Sequence, residues 1–241
     1  MHNLRDVAGA SGYPTAGSRM RTGVLFRSEA LADDAPSALT ALGLTRVYDL
    51  RTTIEVDKHP DVLPAGTGYA RHNILGDDND LGTLDPSTLR PGSARRMLLA
   101  ANRSFVTEPG ARAAFGGLLH DIATTDGPQL FHCTAGKDRT GWAAAILQSL
   151  SGASRADVLH DYLLTNEYSR DAITAIGEAV AAEHGADVAV AVREMYGVFP
   201  EALEAGFDEL GARYGTVDRY VREGLGLTPD TVDALRAKLV V

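Results

Sequence analysis

The stretch "QLFHCTAGKDRTGWAAAILQSL" (Gln129–Leu150) contains the only cysteine of the chain. An apolar run closes on Cys133, a short glycine-bearing segment crowded with Lys137, Asp138 and Arg139 follows, and an alanine-rich run then continues too far for a strand. The pattern predicts a buried strand, a tight loop and a helix from about Arg139 to Leu150. In such a loop the successive backbone N–H groups of Thr134, Ala135, Gly136, Lys137, Asp138 and Arg139 point into one concavity at the positive end of the helix, which suits a tetrahedral oxyanion. Gly136 permits a backbone conformation that a side chain resists, and Arg139 offers a planar fork matched to two phosphate oxygens. The same field is expected to depress the pKa of the Cys133 thiol and make it a nucleophile. A buried, inert cysteine is the plain alternative, but it leaves the neighbouring His132, Gly136, Arg139 and Thr140 without a reason.

The chemistry that follows is a two-step displacement: Cys133 attacks phosphorus to give a phosphocysteine, and water then hydrolyses it. Arg139 and the loop amides stabilise the equatorial oxygens, without metal or cofactor. Thr140 is expected to donate its hydroxyl to the Cys133 sulfur, and His132 to hydrogen-bond within the loop rather than to give a proton. Asp138 is the nearest candidate acid, with Asp77, Asp78 and Asp80 as rivals in a long acidic loop. It could equally cap the helix. Lys137 reads as an anion contact or a solvated side chain. Arg27 and Arg51, each at a strand end, either line the site or form ion pairs with Glu29, Asp49 and Glu55, and ion pairs are the expectation.

Outward from the loop, "GVLFRSEAL" (Gly23–Leu31) and "LTRVYDLRT" (Leu44–Thr52) read as strands. The intervening "DDAPSALTALG" reads as a helix with Asp34 as cap, Pro36 early and Gly43 past its end, giving a β-α-β unit. "GYARHNILG" is a third apolar segment, and it leads into "DDNDLGTLDPSTLRPGS" (Asp77–Ser93), a long surface loop. "ARRMLLAANRSFV" and "GARAAFGGLLHDIA" carry helical spacing, and Ser154 caps a helix in "SRADVLHDYLLTNEY". From Asn166 onward the chain is helical in pattern. The fold class is therefore α/β, a central sheet flanked by helices with a helical C-terminal part, in one domain over residues 1–241.

With 241 residues, 44% of them hydrophobic, the chain can bury a sizeable core. A formal charge of −9 argues against nucleic-acid binding and leaves any anion to a local site. The composition gives no CxxC or HExxH zinc pattern, no transmembrane run and no signal core. A cytoplasmic location is the expectation, with export lacking a recognisable signal as the alternative.

"HCTAGKDRTG" fits the HCxxxxxR[ST] signature of the cysteine-dependent protein tyrosine phosphatases at His132, Cys133, Arg139 and Thr140. With "NLRDVAG" (Asn3–Gly9), "FRSEAL", "YDLRT..E" and "DYLLTNEY", the chain resembles a bacterial tyrosine-phosphatase family over most of its length. That resemblance implies hydrolysis of phosphotyrosine in proteins or peptides, with phosphoinositides and phosphoserine or phosphothreonine also open. It favours Asp138 as the acid, associates Lys137 with phosphoinositide turnover, and places a helical lid over residues 166–215. The linker after "RHNILG" is shorter than that of a mycobacterial member, which weighs against Asp77 and Asp78. A rhodanese-type sulfurtransferase and a non-catalytic phosphate-binding module are the alternatives from other classes. The first usually has a shorter loop without the Arg-Thr pair, and the second would normally have lost the Cys or the Arg.

Overall fold

A computed structural model describes residues 2–32, 35–77 and 88–241. Asp34, Asp78 and Asp80 lie outside the described residues. Among the described residues seven strands run in chain order: β1 (Arg5–Asp6), β2 (Pro14–Thr15), β3 (Ser18–Arg19), β4 (Leu25–Ser28), β5 (Arg46–Asp49), β6 (Gly68–Arg71) and β7 (Gln129–His132). The helices are α1 (Ala35–Thr40), α2 (Thr53–Lys58), α3 (Ser93–Thr107), α4 (Pro109–Thr124), α5 (Asp138–Leu150), α6 (Arg155–Leu163), α7 (Thr165–Tyr168), α8 (Arg170–His184), α9 (Ala186–Tyr196), α10 (Pro200–Tyr214), α11 (Val217–Arg219) and α12 (Pro229–Leu239), with a π-helical turn at Tyr220–Gly224.

The main sheet has the order β1-β4-β7-β5-β6. Its last four strands are parallel and β1 is antiparallel at the edge. The β-α-β unit expected from β4, α1 and β5 forms, but its strands are not neighbours, because β7 inserts between them. That insertion is invisible to local pattern, since β7 arrives some eighty residues later. The short β1, β2 and β3 carry no alternation long enough to be read from sequence, and the chain end adds an isolated bridge between Val240 and Met20.

Register brings Ser28, His132, Asp49 and Arg71 level at the carboxyl ends of the four parallel strands. The segments leaving β4, β5 and β7 therefore start together at the point where strand order departs from chain order, the usual place for a ligand in such sheets. Successive side chains of β5 and β7 go to opposite faces. Val47 and Leu130 pack with Leu31, Leu39 and Leu44 around α1, whereas Tyr48 and Phe131 join the larger core beneath α3, α4 and α5.

Almost every residue of α5 is buried, as expected of a helix apolar all round. Trp142 stands edge-on to Phe207 at 5.2 Å and to Tyr220 at 6.1 Å, tying α5 to α10 and the π turn. Gly206 on α10 makes that approach possible, since a Cβ there would lie 2.6 Å from the indole. The α8–α9 pair packs differently, on a small separate cluster of Leu89, Ala191 and Val192 with Met97 and Met195. We predict that Trp142→Ala lowers unfolding free energy by about 3–5 kcal/mol, read from the urea midpoint; a loss below about 1 kcal/mol would mean that α5 is not anchored through this ring.

Candidate functional site

The loop after β7 turns back under the chain ends of its neighbours. Gly136 has φ +66°, and a Cβ there would sit 2.3 Å from Ser28 O and 2.7 Å from Glu29 N, both backbone atoms that cannot step aside. Glycine is required here for both conformation and space. The loop carbonyls face outward and are bonded there. Thr134 O accepts from Ala30 N at 3.1 Å. Ala135 O accepts from Asn3 Nδ2 at 3.2 Å, and Gly136 O from Asn3 Nδ2 at 2.8 Å and Arg27 Nη2 at 2.9 Å. With the carbonyls bonded on that side, the amides of Thr134 to Lys137 donate no hydrogen bond among the described residues. α5 begins at Asp138, so its positive end points into the same space.

Arg27, fully buried at the end of β4, is held by Asp161 on α6, Nη1 to Oδ2 at 2.7 Å. Asp161 also takes Arg5 Nε at 3.0 Å, and Arg5 Nη1 reaches Asn3 Oδ1. Burial and the neighbouring Arg5 charge lower the Arg27 pKa to about 10, against the pull of Asp161 and the Cys133 charge. Burial raises the Asp161 pKa, but the two arginines outweigh it and hold it below the usual range. The expected pairing of Arg27 with Glu29 is not formed. Glu29 instead accepts from the His2 amide, because β4 aims Arg27 inward toward α6.

On the opposite side stands Glu55. Its carboxylate receives Arg139 in a bidentate pair, Nη1 to Oε2 and Nη2 to Oε1, each at 2.7 Å. It also caps α2 through Thr52 and accepts the Thr134 hydroxyl. Leu50 O takes a further N–H of Nη1 at 3.4 Å. The guanidinium edge formed by Nε and the second Nη2 hydrogen is left free for two oxygens of an anion. Burial opposes the Arg139 charge, yet the Cys133 and Glu55 charges raise its pKa above the ordinary value. Burial likewise disfavours the Glu55 carboxylate, but Arg139 overrides it and brings the pKa to about 2. Glu55 was expected only as a partner for Arg27 or Arg51; its true partner lies in the loop.

Arg51 instead joins Asp49 at 2.7 Å and Asp61 at 2.8 Å. Asp49, Asp61 and His132 could together ligate a cation, but Nη2 of Arg51 sits between the two carboxylates and supplies the positive charge itself. His132 is buried with Nδ1 3.1 Å from Cys133 O and Nε2 3.0 Å from Asp61 Oδ2. These two contacts brace the strand end.

The remaining expectations divide. Lys137 Nζ lies 2.9 Å from Asp138 Oδ2 and 3.3 Å from Gly197 O, so it is a buried tether rather than a solvated side chain. Asp138 lines the cavity with its Oδ1 buried and unpartnered. Asp77 accepts from Thr53 N and Oγ1, each at 2.9 Å, and from Asn73 Nδ2 at 2.8 Å, which makes it a cap for the start of α2. Thr140 makes no hydrogen bond with the Cys133 sulfur; the first turn of α5 encloses its Oγ1 without a partner.

Cys133, Thr134, Ala135, Lys137, Asp138, Arg139 and Glu55 line one side of a cavity of about 210 Å³. Its walls are apolar: Leu98, Ala101 and Phe105 from α3, Leu75 and Leu89, and Met195 and Tyr196 from the end of α9. A thiol, a guanidinium edge, unused amides and a carboxyl group thus line one apolar-walled slot.

The chain is similar to known proteins. Triple specificity protein phosphatase PtpB of Mycobacterium tuberculosis is 30% identical, over 99% of this chain and 96% of its own length. A putative tyrosine-protein phosphatase of Cupriavidus necator is 34% identical, over 92% of this chain and 81% of its own. The core catalytic domain of a PP-IP phosphatase from S. cerevisiae, solved with citrate, matches 70% of this chain and 95% of its own at 16% identity and a TM-score of 0.35. The profile of the tyrosine phosphatase family matches residues 1–241, and the chain belongs to that family.

Proposed function

We propose that this phosphatase hydrolyses phosphate monoesters, phosphotyrosine in proteins foremost, through a phosphocysteine on Cys133. What supports the proposal is that Cys133, the loop residues Thr134, Ala135 and Lys137, and Arg139 with a free guanidinium edge line one apolar-walled slot. An aryl phosphate fits this arrangement, with its ring between Phe105, Leu98 and Tyr196 and its oxygens on the loop. The Mycobacterium relative is named a triple specificity phosphatase, which supports a range reaching past phosphotyrosine, to phosphoserine, phosphothreonine or phosphoinositides. The single cysteine fits a reducing, cytoplasmic site of action, and no helix among the described residues is long and apolar enough to cross a membrane.

In the first step Sγ forms a bond to phosphorus as the bond to the leaving oxygen breaks, and Asp138 gives that oxygen a proton. In the second, water attacks phosphorus, its proton passes to Asp138 and the thiolate departs. The amides of Thr134 to Lys137 and Arg139 bind the equatorial oxygens through both steps. Glu55 is a positioning residue for Arg139. Residues 166–215 act as the lid: Met195 and Tyr196 wall the slot, and Lys137 of the loop holds Gly197.

Cys133→Ser should bring turnover of para-nitrophenyl phosphate to the background rate while phosphotyrosine peptides still bind; residual catalysis well above background would remove Cys133 from the chemistry. Asp138→Asn should cost about 10²–10³ in kcat for phenyl phosphate but much less for para-nitrophenyl phosphate, whose leaving group needs no acid. Equal losses on both substrates would place the acid elsewhere. Glu55 has a folded pKa of about 2 against an ordinary 4.5, so its contribution to stability is complete above the higher value and is lost as pH falls through the lower. Over that window the wild type should lose up to about 3 kcal/mol that Glu55→Gln does not lose; parallel stability curves for the two would contradict the pairing.

A further inference from the structure

On the far side of the end of α9 from the catalytic slot lies a second pocket of about 510 Å³. Three arginines from three elements line it, Arg95 on α3, Arg170 at the start of α8 and Arg193 on α9, together with apolar Ile173, Val190 and Phe199. In a chain of net charge −9 this is a marked local excess of positive charge. Arg95 pairs with Glu201 at 2.7 Å and lies over the Phe199 ring at 4.1 Å. Glu194, the acid among the lining residues, accepts from the Gly92 amide at 3.2 Å. The guanidinium groups of Arg170 and Arg193 have no carboxylate, carbonyl or ring partner among the described residues.

The position of Arg193 is built into the helix it crosses. Gly177 lies in the middle of α8, where glycine costs about 1 kcal/mol relative to alanine. A Cβ there would come within 2.3 Å of Arg193 Nε and 2.9 Å of Cζ. The missing side chain is the bed on which this guanidinium rests.

The two pockets share one stretch of chain: Met195 and Tyr196 face the slot, and Arg193, Glu194 and Gly197 face the second pocket. A helix with its side chains is about 10–12 Å across, the reach of about three or four extended residues. Resting on the phosphatase reading above, we propose that the Arg170–Arg193 pocket is a substrate subsite, which binds the carboxylate or second phosphate of an acidic residue about three or four positions from the phosphotyrosine of a peptide. The −9 charge of the chain disfavours an anionic bilayer as the alternative source of that anion.

The test measures the binding of two fluorescent phosphotyrosine peptides to the Cys133→Ser protein by anisotropy, one with glutamate at the third and fourth flanking positions and one with alanine there. The glutamate peptide should bind about tenfold more tightly at low salt. That ratio should fall to near one in the added double variant Arg170→Gln/Arg193→Gln, and fall in Gly177→Leu, which displaces Arg193 without removing charge. Equal binding of the two peptides, no binding of either, or a preference that survives both variants overturns the subsite. Loss of binding only to phosphatidylcholine vesicles doped with a phosphatidylinositol monophosphate also overturns it, in favour of a lipid headgroup. Turnover of para-nitrophenyl phosphate by the otherwise wild-type Arg170→Gln/Arg193→Gln protein should be unchanged. Turnover by the wild type itself reports on the phosphatase reading separately.

Discussion

For amides to gather around Sγ, the carbonyls of Ala135 and Gly136 must be held on the other side of the loop, and Asn3 and Arg27 hold them there. Each of those donors is itself buried and needs a partner. Arg27 could not be fully enclosed without the Asp161 carboxylate, and Arg5 completes that carboxylate while fixing Asn3. Buried ion pairs seldom add net stability, because desolvation consumes most of their attraction. What this set supplies is orientation and charge. Two arginines against one aspartate leave a surplus positive charge beneath the loop, and that surplus faces Cys133.

The other flank depends on register. β5 ends level with β7, so the helix that follows β5 starts beside the loop, and Glu55 in its first turn meets Arg139. A single carboxylate thereby caps a helix, orients the guanidinium and holds the Thr134 hydroxyl. Beneath it, Asp49, Arg51, Asp61 and His132 form a buried cluster that ties β5 to the strand carrying the cysteine. The loop is thus clamped from two sides by elements that have no local sequence relation to it.

This arrangement explains what could be read from the sequence. Cys133, Gly136, Arg139 and the start of α5 are legible because their determinants lie in one contiguous run, where strand, turn and helix signals succeed each other. Asn3, Arg5, Glu55 and Asp161 stand in the scattered segments that carry the family resemblance, yet neither spacing nor periodicity says that they meet. Their contacts arise from the pairing of β1 on β4 and of β4 and β5 on β7, which is decided by long-range assembly. The ion pairs assigned to Arg27 and Arg51 by proximity in sequence failed in part for the same reason. Arg51 does find Asp49, two residues away, but Arg27 reaches across the fold. Thr140, expected from its motif position to donate to the sulfur, has its hydroxyl enclosed without a partner.

Cys133 is 2% exposed and has no second thiol anywhere in the chain. An oxidant small enough to pass the apolar walls would convert it to a sulfenic acid that no neighbour within the protein could capture as a disulfide. Recovery then depends on a thiol supplied from solution and narrow enough to follow the same route, and without one the sulfur proceeds to states that are not reduced again. The enclosure of Cys133 by the apolar walls therefore also limits which redox partners can reach, and restore, the sulfur.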